Sequence, residues 1–569
     1  MSDDKDSKLQ KKVYKNALLN AVKHDGECSS EAIIGPVIGG NPSLRDKASE
    51  VAEVAEEIAV EVSEMTVEEQ VEEAREIAPD ELEDILEESS DDKVLPDLPN
   101  VDEYEQVRMR CAPNPNGAWH IGHARMPAVI GSYKERYDGW FCVRFDDTDP
   151  STKRPSLEAY DQILDDVEYL GFNPDAVFRA SERLELYYDY ARDLIEMGKA
   201  YTCDLSSEEF SEMKKDGVKS PNRDKDPEVV MEEFDDMVNG NYKEGDIVLR
   251  IKTDMDHKNP AIRDWVAFRM IDEEHPAEYA KDYKCWPMLD FQSAIDDYEV
   301  DITHIIRGID LQSSVGRQEY VYDYFGWEYP EVVHWGHVEL EGYDVPMSTS
   351  SINKLIRDGE LSAWDDPKAP TLASLKKRGF KGDAITNAMI ELGVSSSNVT
   401  LSLDTLYAKN MEVVDKSANR YFFVSDPVEM RIKGGPETAN PPYHPDFDDR
   451  GRRSIKVGST VRVNRSDLPS IGEQVWLKGY GPVVRDSEDG FRYTDDSIDI
   501  VRNEGVQVVQ WVGEEFTEVT VHKMDKSVNG LGESNVRDES TGTVVQFVRF
   551  GFVRIDSKGN HVDTYFTHP

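Results

Sequence analysis

The chain has 569 residues, with 114 Asp and Glu against 65 Lys and Arg, a formal net charge of −49 and a pI near 4.6. That length exceeds what one hydrophobic core serves and predicts about three to five domains. The acidic excess excludes a protein that grips nucleic acid through a broadly basic surface, because phosphate contacts need positive charge. From the N-terminus, residues 8–22, 49–65 and 67–77 carry apolar residues at helical spacing, and 80–88 is a further acidic segment. The stretch SSDDKVLPDLPN, 89–100, reads as a linker, so residues 1–100 form a helical appendage without a catalytic motif.

From residue 101 the pattern becomes strand, helix, strand, helix. Strands are expected at 106–111 and 140–145 and helices at 121–137 and 157–170, a βαβ unit of a Rossmann-type parallel sheet. Between the first strand and helix lies Ala112-Pro113-Asn114-Pro115-Asn116-Gly117-Ala118-Trp119-His120-Ile121-Gly122-His123-Ala124. Amide groups at a helix start attract anions, so this loop can hold phosphate without a P-loop. Gly122 leaves room for a flat adenine ring against the backbone. His120 and His123 can donate hydrogen bonds to phosphate oxygens as charge develops. Residues 205–280 break the rhythm, with helices at 206–216 and 226–239 and a hairpin pairing 246–253 with 265–271. They are expected to form an insertion between a first half, 101–204, and a second half, 281–345, whose sheet resumes near Pro287 and runs through 303–307 and 332–339. Residues 346–420 are mainly helical. Beyond them, short runs of period two at 459–463, 474–480, 507–512, 517–523 and 543–555 predict an all-β region, barrel or sandwich, over 421–569.

Three blocks stand in order along this chain: Arg110 through His123 ending in HIGH, then Arg144-Phe145-Asp146-Asp147-Thr148-Asp149-Pro150, then Thr303-His304-Ile305-Ile306-Arg307-Gly308. Together they resemble the class I aminoacyl-tRNA synthetases, and within them the glutamyl/glutaminyl subgroup of archaeal type, over residues 100–569. The resemblance implies a Rossmann-type catalytic domain, an insertion that holds the tRNA acceptor end, and C-terminal β-barrels that read the anticodon. It implies ATP, with Mg²⁺, as cosubstrate, and a carboxylate that attacks the α-phosphorus before the acyl group passes to tRNA. By resemblance, His120, Gly122 and His123 are catalytic. ATP falls to Pro113, Asn114, Pro115, Asn116, Gly117, Ile121, Met347, Ser348, Thr349 and Ser350. Arg110, Ala112, Asp146 and Arg307 hold the amino acid, with Asp146 on its ammonium and Arg110 and Arg307 on its side-chain carboxylate. A guanidinium fork fits a carboxylate and not an amide, so Arg307 favours glutamate.

Two positions depart from the family. Its second signature, KMSKS, stands here as Pro346-Met347-Ser348-Thr349-Ser350 without either lysine, leaving Lys354, Arg357, Ser348 or backbone amides as substitutes. Leu289 stands where many relatives have a substrate-contacting tyrosine. The expected activity is ligation of L-glutamate to tRNA(Glu), with tRNA(Gln) left open as a further substrate. A glutamine–tRNA ligase and a non-catalytic tRNA-binding paralogue are the alternatives.

RNA binding by so acidic a chain is reconciled by concentrated salt, since at about 1 M the Debye length is near 3 Å and surface charges barely repel. Contacts would then rest on local basic spots, of which Lys376-Lys377-Arg378 with Lys381, and Arg450, Arg452, Arg453 with Lys456, are the candidates. The five scattered cysteines form no CxxC pair and suggest neither disulfides nor a zinc ribbon, so no metal ligands are assigned. The absence of a signal-like start or an apolar run of about 20 residues predicts a cytoplasmic protein with no membrane partner.

Overall fold

A computed structural model describes residues 3–23, 48–63, 65–78, 95–487, 490–495 and 506–569, with a few isolated positions between 28 and 82. Contacts divide the chain into two units, Met1–Pro96 and Asp97–Pro569. The first contains the helices Asp3–Lys23, Ala48–Ser63 and Val67–Ile77. Val13, Ala17, Leu18, Val51, Ala55, Val62 and Ala74 form its core. The third helix starts sharply because Thr66 and Glu69 form a reciprocal capping box. The acidic stretch 80–88 apart from Leu82, and residues 89–94 of the expected linker, lie outside the described residues.

The second unit opens with three parallel strands, Arg108–Cys111, Trp140–Phe145 and Ala176–Arg179. The strands His304–Gly308 and Glu331–Trp335 form a second parallel pair. The Thr303 amide donates to the Arg108 carbonyl (2.9 Å), and the Arg108 amide donates to Thr303 Oγ1 (2.8 Å), which sets the second pair beside the first strand. The expected helix at 121–137 begins as a 3-10 turn, Ile121–Ala124, before the α-helix Arg125–Tyr137.

Between these halves lies a four-stranded antiparallel sheet of Ala200–Cys203, Val248–Ile251, Val266–Met270 and Cys285–Pro287, in chain order. Its outer strands fall beyond both expected boundaries: Cys285–Pro287 closes the insertion rather than resuming the parallel sheet. The helices Ser207–Lys215 and Pro227–Val238 start where Ser206 and Asp226 cap them. Phe210, Phe234, Tyr188 and Phe268 fill the interior.

Among the described residues the C-terminal region contains a short pair, Thr438–Ala439 with Ile455–Lys456, and two seven-stranded sheets. The edge strands of one, Arg420–Tyr421 and Phe423–Val424, are separated in sequence only by Phe422. The edge strands of the other, Val508–Val509 and Trp511–Val512, are separated only by Gln510. A single continuous segment thus supplies both edges of each sheet, so each sheet curls round on itself as a barrel-like layer, which protects the edges. The second sheet, from 427 to 512, is inserted into the first, which resumes at Phe516. Among the described residues no helix is long and apolar enough to cross a membrane.

Candidate active site

The loop 112–124 is fastened from both sides. The Asp146 amide donates to the Pro113 carbonyl (2.9 Å), Asn114 Nδ2 donates to the Asp146 carbonyl (2.7 Å), and the Ser156 amide donates to the Pro115 carbonyl (2.8 Å). Beyond the loop, Ile121 donates to Pro370 and Leu372 to Trp119, a short bridge that holds His120 against Thr371. Asn116 and Ala112 are half-buried; Pro113, Pro115, Gly117 and Ile121 are buried.

The His120 and His123 rings lie 3.8 Å apart between centroids, and Trp119 stacks on His123 at 5.8 Å. Burial pushes His120 down to about 4 and, with the neighbouring His120, holds His123 well below the ordinary histidine value. Both are neutral at pH 7, so they serve as hydrogen-bonding groups and not as cations. Nδ1 of each, the Asn114 Oδ1 and the Trp119 Nε1 are buried without a partner. Several unsatisfied polar atoms crowded at one helix start are costly unless a ligand satisfies them.

The second signature lies directly against this loop. A Cβ on Gly122 would stand 3.1 Å from Met347 Cε, and one on Gly117 would stand 2.9 Å from Thr349 Cγ2 and 3.0 Å from Trp364. At Gly117 a side chain would collide, and at Gly122 one would have to displace the end of Met347. The helix Thr349–Arg357 therefore starts at the mouth of the loop, and the Ser348 side chain does not cap it. Ser348 and Ser350 share a hydroxyl hydrogen bond of 3.1 Å. Neither Lys354 nor Arg357 occupies the position of a signature lysine in the sequence. They lie on the exposed face of this helix, opposite Ile352, which packs with Leu361, Ala369 and Trp364.

Beneath the loop is a buried ionic cluster. Arg110 donates from Nε to Asp297 Oδ1 (3.0 Å) and from Nη2 to Oδ2 (3.2 Å). Arg144 donates to Asp146 (2.7 Å) and to Asp297 (2.8 Å). Arg183 meets Asp296 at 2.8 Å, and Tyr187 donates to the same carboxylate. Gln292 joins Asp146 (2.8 Å) to Asp296 (3.2 Å). Burial raises Asp297, but Arg110 and Arg144 outweigh it and hold its carboxyl below the usual range. Asp296 stays above that range, because burial exceeds the help it receives from Arg144 and Arg183.

Arg110 and Arg307 part company here. Arg110 is occupied by Asp297, so it steadies the cluster rather than offering its fork to a ligand. Arg307, 6% exposed, donates only to neutral groups: Gln318 Oε1 (3.1 Å) and the Tyr329 hydroxyl (3.1 Å). Its Nε has no partner, nor has His334 Nε2 on the adjacent strand. Asp146 remains beside Arg144 and Gln292. Leu289 is exposed at the start of the helix Leu289–Glu299.

Sequence reasoning missed Asp296, Asp297, Gln292, Gln318 and Tyr329. The helix Leu289–Glu299 is buried at every position from Asp290 to Asp297 although five of those eight are polar. Such a helix reads as solvent-facing from its composition. Both expected basic spots are also largely structural. Arg378 is buried and donates to the Thr567 carbonyl and the Tyr343 hydroxyl, and Lys377 pairs with Asp365. Arg453 is buried against Glu533, and Arg450 donates to the Lys416 and Ser417 carbonyls. Buried or carbonyl-bound cations are not available to phosphate.

Residues 106–416 match the family described as tRNA synthetases class I (E and Q), catalytic domain, and residues 418–495 match its anti-codon binding domain. The glutamate–tRNA ligase of Natronomonas pharaonis is 53% identical over 100% of both chains. That of Haloarcula marismortui is also 53% identical over 100% of both chains. A crystal structure of glutamate–tRNA synthetase from Elizabethkingia anophelis superposes with a TM-score of 0.41 at 20% identity, covering 55% of this chain and 72% of that one.

Proposed function

This chain belongs to the class I tRNA synthetases of the glutamate and glutamine group, and on that premise we propose that it ligates L-glutamate to tRNA(Glu) through a glutamyl-adenylate. A glutamate α-carboxylate oxygen attacks the α-phosphorus of ATP, the bond to the β-phosphate oxygen breaks, and diphosphate leaves. A ribose hydroxyl of the terminal adenosine then attacks the acyl carbon, AMP departs, and the hydroxyl proton passes to solvent. The nucleophile of the first step is already ionised, so the site needs positioning and charge stabilisation rather than a general base.

The unpaired Arg307 carries this reading. A buried guanidinium bound only to an amide oxygen and a phenol is matched by a carboxylate and left short by glutamine. Asp146, on the rim of the ionic cluster, is placed to hold the ammonium. The neutral His120 and His123, Gly122 and the 113–117 loop would receive ATP. The free amides at the start of the helix Thr349–Arg357, with Ser348 and Ser350, would face the leaving diphosphate in place of the missing lysines. Mg²⁺ carried on the ATP phosphates would offset their charge; the groups at this junction are hydroxyls and amides rather than carboxylates.

A cavity of about 260 Å³ between the two β-layers supports anticodon recognition. Phe422, Pro441 and Pro442 give it flat apolar walls, and Arg420 and Lys478 line it with donors. Stacking surfaces with few fixed donors suit an unstacked base.

Arg307→Gln tests the reading in ATP–diphosphate exchange with tRNA present. Glutamate kcat/KM should fall by about 10²–10⁴, as for loss of one partner of a buried charge pair. An unchanged glutamate kcat/KM would remove the basis for glutamate selection.

A further inference from the structure

The fold gives the Arg307 guanidinium two neutral partners, and both are themselves fixed. Gln318 lies in the helix Gln312–Phe325 and is 1% exposed. Its Nε2 donates to Ser293 Oγ (2.7 Å) and to the Asp290 carbonyl (3.3 Å). Its Oε1 accepts from Arg307 Nη1 (3.1 Å) and from the Tyr329 hydroxyl (2.6 Å). A carbonyl only accepts and a guanidinium only donates, so the amide has one workable orientation. Gly326, at φ 74°, ends the helix, and Tyr329 then packs edge-on against Tyr322 at 4.9 Å. The Tyr329 hydroxyl accepts from Arg307 Nη2 (3.1 Å) while it donates to Gln318, so the three side chains close a ring. Burial pushes that hydroxyl up to about 12, and it stays neutral.

This ring orients a cation without neutralising it. Among the described residues no carboxylate stands within ion-pair distance of Arg307: Asp297 faces Arg110 and Arg144, and Asp290 pairs with Arg317. The neighbouring arginines follow the opposite rule, since Arg110, Arg144 and Arg183 each meet Asp296 or Asp297. A glutamate in place of Gln318 would differ little in shape and would supply Arg307 with a buried counter-ion.

We infer that Gln318 and Tyr329 are positioning residues that set the choice of amino acid: they aim the Arg307 fork and leave its charge for the substrate carboxylate. The inference rests on the reading of Arg307 as the partner of the glutamate side chain. A guanidinium already held in place loses less freedom when a ligand binds. With no fixed counter-ion it gains most from an incoming carboxylate and little from the neutral amide of glutamine. Selection therefore depends on residue 318 being uncharged as much as on Arg307 being present.

Charging of tRNA in molar KCl gives KM for glutamate, KM for ATP and the inhibition constant of glutamine. Gln318→Glu should raise KM for glutamate about 10²-fold with kcat within about threefold, because a fixed carboxylate takes the place of the substrate's. Glutamine inhibition and KM for ATP should stay near wild type. Gln318→Met removes the ties without adding a charge and should raise KM for glutamate only about tenfold. A purely structural role predicts the reverse order, since Glu is nearly isosteric with Gln, and equal changes for glutamate and glutamine. An effect of Gln318→Glu no larger than that of Gln318→Met would overturn the inference, as would a parallel loss of glutamine inhibition. Tyr329→Phe leaves the amide in place and adds no charge, so it decides the matter should Gln318→Glu not fold. It should raise KM for glutamate about fivefold with KM for ATP unchanged, and a wild-type KM for glutamate would overturn the inference. Arg307→Gln keeps the two readings apart. No effect there strikes the proposed function; a large effect there, with none at Gln318 or Tyr329, strikes this inference alone.

Discussion

Two arginines, Arg110 and Arg307, are both buried beside the helix Leu289–Glu299, yet among the described residues only Arg110 is paired with a carboxylate. The sequence pointed to both and could not separate them, because the Asp297 that occupies Arg110 is 187 residues away. Pairing at that distance leaves no local signal. His120 and His123 were legible because the chemistry and the turn sit in one short segment. Their neutrality was not, since it comes from burial by Trp119, Met347 and the bridge to Thr371. His120→Ala should reduce kcat for adenylate formation by about 10²–10³, the usual cost of removing one preorganised donor, with little change in melting temperature. A near-wild-type rate would remove His120 from the phosphate site.

The elements were read more faithfully than their partners. Alternation found strands in both C-terminal layers but passed over Pro427–Lys433, Ser527–Glu533 and His561–His568, and the two insertion helices fall within a residue of their expected bounds. What periodicity could not tell was which sheet a short strand joins. Cys285–Pro287 went to the insertion because it pairs with Val266–Met270. Arg125 shows how the elements of the site are tied. It starts the helix after HIGH, is 1% exposed, and donates to the carbonyls of Gly336 (2.9 Å) and Gly393 (2.6 Å). Gly336 precedes the strand Val338–Glu341 that leads to Met347. Arg125→Met would leave the buried Gly336 carbonyl unpaired, at about 1–3 kcal/mol, and the part-buried Gly393 carbonyl at less. The expected outcome in thermal unfolding and steady-state kinetics is a lower melting temperature with a raised KM for ATP. A variant as stable as the wild type would show that this tie is dispensable.

At the scale of the whole molecule, charge dominates. Burial holds His120, His275 and His568 each at about 4, below the ordinary value near 6.5. Their folded values lie below their unfolded ones, so between about pH 6.5 and 4 the unfolded chain binds more protons and stability falls with acidification. Melting in molar KCl, where surface repulsion is screened, should therefore drop steadily from pH 7 to 4.5. A flat profile would mean that these histidines are solvated. The net charge of −49 was plain in the composition, and screening at high salt is its direct consequence. The placement of the few cations without a carboxylate was not legible, because most members of the runs that looked basic in sequence are buried, bound to carbonyls or paired with carboxylates.

The most direct test of the account is charging of purified tRNA(Glu) and tRNA(Gln) with labelled glutamate or glutamine in about 2–3 M KCl, where the Debye length is below about 3 Å. The account predicts transfer of glutamate to tRNA(Glu), no transfer of glutamine, and loss of activity when KCl falls to about 0.1 M. Transfer of glutamine, or of neither amino acid, would contradict the reading of Arg307 as the carboxylate partner.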